Sequence, residues 1–157
     1  MIGRRILNSE LKENGKYPVY SANVFNPFGY IDNTIISEFN TPSVLWGIDG
    51  DWMVNYIPSK FEFTPTDHCG VLRVISDDFN SHYVALALQS IGEEMGFSRS
   101  YRASIDRIEG ITIPKVSKAL QDDVMTKIEI LQSKILQLEN NLKELEAKRT
   151  SIVLSNL

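Results

Sequence analysis

Toward the end of the chain, apolar residues recur at alternating gaps of four and three: Val124, Ile128, Leu131, Ile135, Leu138, Leu142 and Leu145, with Ile152 after a gap of seven. This is a heptad seam, with Ile128, Ile135 and Leu142 at a and Val124, Leu131, Leu138, Leu145 and Ile152 at d. Residues 121–154 contain neither Gly nor Pro. The pattern therefore predicts one helix, roughly 50 Å long at ~1.5 Å rise per residue. A narrow apolar stripe on a helix that long cannot bury itself and has to meet another helix. Folding back onto its own domain is the alternative. The narrowness of the seam and its place at the chain end favour a two-stranded coiled coil.

Upstream the period shortens. Tyr17-Pro18-Val19-Tyr20-Ser21 is a short strand-like run, and Asn26-Pro27-Phe28-Gly29 is a turn leading into Tyr30-Ile31. Thr34-Ile35-Ile36, Ser43-Val44-Leu45-Trp46, Trp52-Met53-Val54-Asn55-Tyr56 and Phe61-Glu62-Phe63-Thr64 read as further strands. The run ending in Trp46 is expected to be central. Cys69-Gly70-Val71-Leu72-Arg73-Val74-Ile75 is the strongest strand signal. Residues 81–91 predict a helix, with Tyr83, Leu86, Ala87 and Ser90 along one face, flanked by Val84, Leu88 and Ile91, and Asp77-Asp78 in the N-cap region. Residues 96–102 are a polar loop, after which Ile105, Ile108, Ile111 and Ile113 lead to Pro114. Many short strands, one helix and then a long helix predict an α+β fold: a mainly β domain over 1–117 and a coiled-coil dimerisation or spacer helix over 118–157.

A chain of 157 residues suits one domain with such an appendage. No apolar run is long enough to span a membrane, and no signal-peptide core follows the N-terminus. The single cysteine, Cys69, excludes an intrachain disulfide and a cysteine-based zinc site. Cytoplasmic residence is expected. The net charge is −4. The helical tail is neutral, so the first 117 residues carry the whole acidic excess. A nucleic-acid surface on this chain has to be a local patch rather than a basic domain.

Catalytic signatures are missing. No glycine-rich phosphate loop follows a strand, and His68 and His82 fall in no metal-ligand spacing. No cofactor or metal is called for. Packing accounts for His68 beside Cys69, and turn chemistry accounts for Asp49 and Asp51 around Gly50. Two polar–aromatic clusters remain. In one, Ser98, Arg99, Ser100, Tyr101 and Arg102 bring together donors of the kind that contact phosphates and base edges. In the other, Tyr17, Tyr20, Ser21, Asn23 and Asn26 do the same. An ordinary solvated loop and an ordinary strand with its turn explain the two clusters equally well. If they bind DNA, both are expected on one face.

The order of these pieces resembles the target-recognition domain of type I restriction–modification specificity subunits. The matching residues are Gly15 with Tyr17-Pro18-Val19-Tyr20-Ser21, Gly29-Tyr30-Ile31, Val44-Leu45-Trp46 with Gly50, Phe61, and Cys69 with Val71-Leu72. Tyr83 with Leu86 and Leu88 follows, then Ile111-Thr112-Ile113-Pro114, leading through Gln121 into the heptad helix. The resemblance covers roughly residues 5–157. It implies a half-subunit: one recognition domain and one helix, reading half of a split double-stranded DNA target without catalysis of its own. It also implies docking to DNA methyltransferase (M) subunits and, where one accompanies the complex, a restriction (R) subunit.

The seam implies a homodimer through Ile128, Leu131, Ile135, Leu138, Leu142 and Leu145, and the resemblance implies antiparallel helices that hold two recognition domains apart. Two other readings compete. One is a coiled-coil protein-interaction adaptor, which the acidic domain favours. The other is the C-terminal recognition fragment of a fused adenine methyltransferase, left open by the acidic charge and by the lack of a Trp- and Leu-containing stretch before Lys16. Asn26-Pro27-Phe28 echoes the Asn-Pro-Pro-aromatic motif of adenine methyltransferases but lacks its second proline and any cofactor-binding glycine motif before it.

Overall fold

A computed structural model of the chain describes residues 1–154. The chain divides into two compact units, Met1–Lys118 and Ala119–Leu157. In the first, β3 (Ser43–Gly47) is buried along its whole length because both of its faces are covered. Side chains alternate across a strand. Val44 and Trp46 therefore enter one apolar cluster, with Val84 and Leu88 of α1 (Ser81–Glu94) and Ile108 of α2 (Ile105–Glu109). Leu45 enters a second cluster on the opposite face, with Tyr20, Val24 and Phe63. As expected for the run ending in Trp46, β3 is central, flanked antiparallel by β4 (Val54–Ile57) and β6 (Cys69–Leu72). A second sheet has β1 (Tyr17–Tyr20) at its centre, antiparallel to β2 (Gly29–Ile31) and parallel to β5 (Thr64–Pro65).

Several sequence expectations need correction, each for an identifiable reason. The run from Cys69 does not continue to Ile75, which is 97% exposed. Its ladder with β3 ends at Val44 opposite Leu72. Further on, the neighbouring chain reaches Pro42, which has no N–H to offer. Residues 34–36 form no strand, because the Thr34 hydroxyl replaces the ladder: it donates to the Phe63 carbonyl at 2.7 Å and accepts the Ile36 N–H at 3.1 Å. In the 61–64 run only Thr64 pairs. Tyr20 bonds toward β5 through its carbonyl, so Pro18, two residues back, turns its nitrogen the same way without a hydrogen to donate.

The cap of α1 is Asn80 rather than Asp77-Asp78, its Oδ1 accepting the N–H groups of His82 and Tyr83. The buried face of α1 is Val84, Ala85, Leu88 and Gly92. The expected face is therefore rotated: Val84 and Leu88, expected at its flank, lie at the centre of the buried face, while Ala85 and Gly92 carry too little apolar signal to mark it. Ile105 and Ile108 sit on the short helix α2.

The second unit is carried by α3 (Lys118–Leu154), a continuous helix of 37 residues. Ile128 is half-buried, and Leu131, Ile135, Leu138, Leu142, Leu145 and Ile152 are exposed. The final positions of the expected spacer, 155–157, lie outside the described residues. Among those described, no helix is long and apolar enough to cross a membrane.

Candidate nucleic-acid interface

The loops that carry the polar–aromatic clusters are joined by the tight turn after β3. Gly50 adopts φ +90°, a left-handed conformation that only glycine takes without strain. A Cβ on Gly47 would stand 2.4 Å from the Ala22 carbonyl oxygen, so this turn passes directly against the chain after β1. Ile48 fixes the other side. Its N–H donates to the His68 carbonyl at 3.0 Å, and its carbonyl accepts the Ala103 N–H at 2.9 Å.

A row of side-chain hydrogen bonds and ion pairs, passing once through the His68 main chain, runs across these backbone ties. Thr66 Oγ1 donates to Ser21 Oγ at 3.0 Å and accepts the His68 N–H at 3.2 Å. His68 Nδ1 lies 3.0 Å from Asp49 Oδ1, and Arg102 Nη2 lies 3.3 Å from Asp49 Oδ2. Ser21 and Arg102, one from each predicted cluster, thus stand at the two ends of one connected row. An open groove of about 620 Å³ lies at its Ser21 end, lined by Ser21, Thr66 and His68 of the row and by Arg5, Asn8 and Phe28. Next to the lining residues Arg5 and Ser9 in sequence, Glu10 accepts from Arg4 at 2.6 Å, and that guanidinium holds its carboxyl below the usual range.

The loop 98–102 closes on itself. Ser98 N–H donates to the Tyr101 carbonyl at 3.0 Å, and the Ser98 and Ser100 hydroxyls are 3.2 Å apart. Tyr101 stacks on Phe97 with centroids 5.5 Å apart, and the Arg107 guanidinium covers its ring at 4.1 Å. Arg107 also donates to the Arg102 carbonyl at 2.5 Å. This packing leaves Arg99 and Arg102 exposed on a fixed loop. Arg99 has no ion pair among the described residues. Asn23 orders the other loop, its Oδ1 accepting the N–H groups of Phe25 and Asn26.

Tyr17 and Tyr20 are placed elsewhere. The Tyr17 ring stacks near Phe39, and Lys16 donates to its hydroxyl at 2.9 Å. Tyr20 is 6% exposed, its ring edge-on to Phe63, and burial raises its phenol pKa. Successive strand residues point to opposite faces, so Tyr20 faces inward where Ser21 faces the groove. His68 is half exposed and bonded to Asp49 instead of packing in the core. Arg5, Thr66 and His68 line the groove but were not singled out by sequence, because each takes its place there only through long-range contacts. No local spacing could have found them.

The sequence matches the type I restriction modification DNA specificity domain family over residues 2–147. It is 39% identical over 90 residues to a Mycoplasma pneumoniae protein provisionally named type I specificity subunit S.MpnORF507P, a match covering 55% of this chain and 23% of that protein. The fold is similar to the crystal structure of a type I restriction-modification system S subunit from M. genitalium, with TM-score 0.62 and 22% identity, over 96% of this chain and 41% of the other. The chain therefore spans less than half the length of these relatives. A central β3 turn that gathers two polar loops, a long heptad helix after the β domain, and a family match over nearly the whole chain lead to one conclusion: this chain belongs to the type I restriction modification DNA specificity domain family.

Proposed function

We propose that this chain is a non-catalytic half-subunit that reads one half of a split duplex-DNA target. The observation that carries the reading is the row of Ser21, Thr66, His68, Asp49 and Arg102, which puts the two polar loops on one surface beside an open groove. Its contacts come from the polar residues of 21–26 and 98–102, joined by Arg5 and His68. Tyr17 and Tyr20 support the strand behind them. The near-complete alignment of this chain with 41% of a solved S subunit supports the half-subunit assignment.

Assembly goes through α3. At ~1.5 Å per residue its 37 residues span about 55 Å. Its exposed seam is self-complementary in a two-fold homodimer. An antiparallel pair holds two recognition domains far enough apart for two half-sites. Like charges then meet at Glu139 and Glu146 and at Lys134 and Lys148, a cost of at most ~1 kcal/mol per exposed pair that seam packing outweighs. The further partners are methyltransferase subunits and, in a restricting complex, a nuclease subunit, all in the cytoplasm.

The net charge of −4 favours a second reading, a coiled-coil adaptor whose globular part binds protein. Duplex binding across a salt series, with and without the methyltransferase subunits, separates the two. Phosphate contacts release counterions, so a DNA reader weakens steeply with salt. Selection from a randomised duplex pool should return two half-sites. Absence of any duplex preference with the methyltransferase present would leave the adaptor standing.

A further inference from the structure

We infer that Asp49 is a positioning residue for DNA specificity: its carboxylate holds Arg102 and His68 in a fixed outward geometry, so that Arg102 reads a base edge instead of gripping phosphate. The inference rests on the DNA-reading assignment above. Each carboxylate oxygen serves a different loop, Oδ2 facing Arg102 Nη2 at 3.3 Å and Oδ1 facing His68 Nδ1 at 3.0 Å. The Asp49 side chain is 29% exposed, against 52% for Arg102 and 43% for His68, so the acid lies beneath the two heads it holds. His68 Nε2 has Asp67 Oδ1 at 3.9 Å, beyond hydrogen-bonding distance.

The chemistry follows from the guanidinium. It carries five N–H donors in a rigid plane. Asp49 faces Nη2, and among the described residues Nε and Nη1 have no other side-chain partner. Two parallel donors in a fixed plane are what bidentate recognition of guanine O6 and N7 requires. A carboxylate directly behind them also repels phosphate, so general affinity is traded for discrimination. Aspartate is common in turns, but a turn role does not demand that both oxygens engage side chains of two other loops. The backbone needs no help from it either, because Ile48 already ties the same two loops through its own N–H and carbonyl. Removing the Asp49 side chain should therefore disturb orientation and charge while leaving the fold in place.

The test uses the full chain with the methyltransferase subunits and a randomised duplex pool, comparing wild type with Asp49→Ala, Asp49→Asn and Arg102→Ala. Melting temperature is recorded for each variant, and binding to an unselected duplex is followed across a salt series. Asp49→Ala should lose its preference at one base pair by roughly five- to hundredfold, the range for a good bidentate pair. Its binding to unselected duplex should be undiminished and more salt-sensitive, because a freed Arg102 can then take a phosphate. Asp49→Asn keeps the shape without the charge and should fall between Asp49→Ala and wild type. It also serves as the readout if Asp49→Ala lowers the melting temperature. If Arg102→Ala erases a base preference that both Asp49 variants retain, the positioning role is overturned while DNA reading stands. If wild type selects a sequence that Arg102→Ala leaves unchanged, Arg102 reads no base and this inference falls while DNA reading stands. If wild type selects no sequence with the methyltransferase subunits present, the DNA-reading assignment falls and this inference with it.

Discussion

The Trp46 indole donates its Nε1–H to the carbonyl of Ala103 at 2.9 Å in the buried core, a bond linking residues 57 positions apart. It ties the end of the central strand to the residue immediately after Arg102. The loop that bears Arg99 and Arg102 is thus anchored from below by the best-protected strand of the domain. Packing in the core and geometry at the surface are the same constraint here.

That bond gives a direct prediction. Trp46→Phe keeps most of the apolar volume but leaves the Ala103 carbonyl without its donor. A buried group left unsatisfied costs about 1–3 kcal/mol, and the loss should appear in denaturant unfolding. The 98–102 loop should also lose hydrogen-exchange protection before the rest of the domain does. Unchanged stability and unchanged exchange would show that the bond anchors nothing.

The two arginines of that loop should behave differently on DNA. Arg102 is held by Asp49 and should read sequence, so Arg102→Ala should cost about 1–3 kcal/mol on a selected duplex and relax one position. Arg99 is exposed with no ion pair among the described residues. Arg99→Ala should weaken all duplexes alike and lower the salt slope by about 1. Competition and salt titrations in the presence of the methyltransferase subunits measure both. Identical behaviour of the two variants would contradict the division.

Helix α1 offers a test in which two effects oppose each other. In a helix interior Ala is favoured over Gly by about 1 kcal/mol, so Gly92→Ala should stabilise on propensity alone. A Cβ at Gly92, however, would lie 2.3 Å from the Trp52 ring. That ring is held in turn by its Nε1–H bond to the Gln89 carbonyl at 2.8 Å and by Phe97 at 5.0 Å. Overpacking of this kind costs typically about 1–3 kcal/mol, so net destabilisation is expected. A raised melting temperature would mean that the Trp52 ring gives way freely.

The seam of α3 predicts assembly. Ile135 and Leu138 are exposed at the middle of the heptad run. Replacing both with Asp should convert a dimer to monomers in sedimentation equilibrium and abolish cooperative binding to DNA carrying two half-sites. A wild-type chain that is monomeric at micromolar concentration would overturn the coiled-coil reading. Two recognition domains found at one end of a parallel pair would overturn its antiparallel form.

The heptad helix was legible because its signal is periodic and local: Ile128 to Leu145 alternate by three and four without interruption, and the structure forms a single helix through them. The central place of Val44-Leu45-Trp46 was legible for a related reason, since an unbroken apolar run fits a strand covered on both faces. Both polar loops could also be found as local clusters of donors. Long-range contacts decided the rest. Whether Cys69 to Ile75 stayed a strand depended on Pro42 beside it, and whether residues 34–36 paired depended on the Thr34 hydroxyl. That Tyr20 turns inward while Ser21 turns to the groove follows from the register of β1, which no composition records. His68 and Asp49 read as packing and turn residues until the fold brought them between Ser21 and Arg102. Periodicity determines which segments become elements. Only the tertiary contacts of a turn such as 47–51 determine which side chains share a surface, because that surface is assembled from four separate stretches of chain.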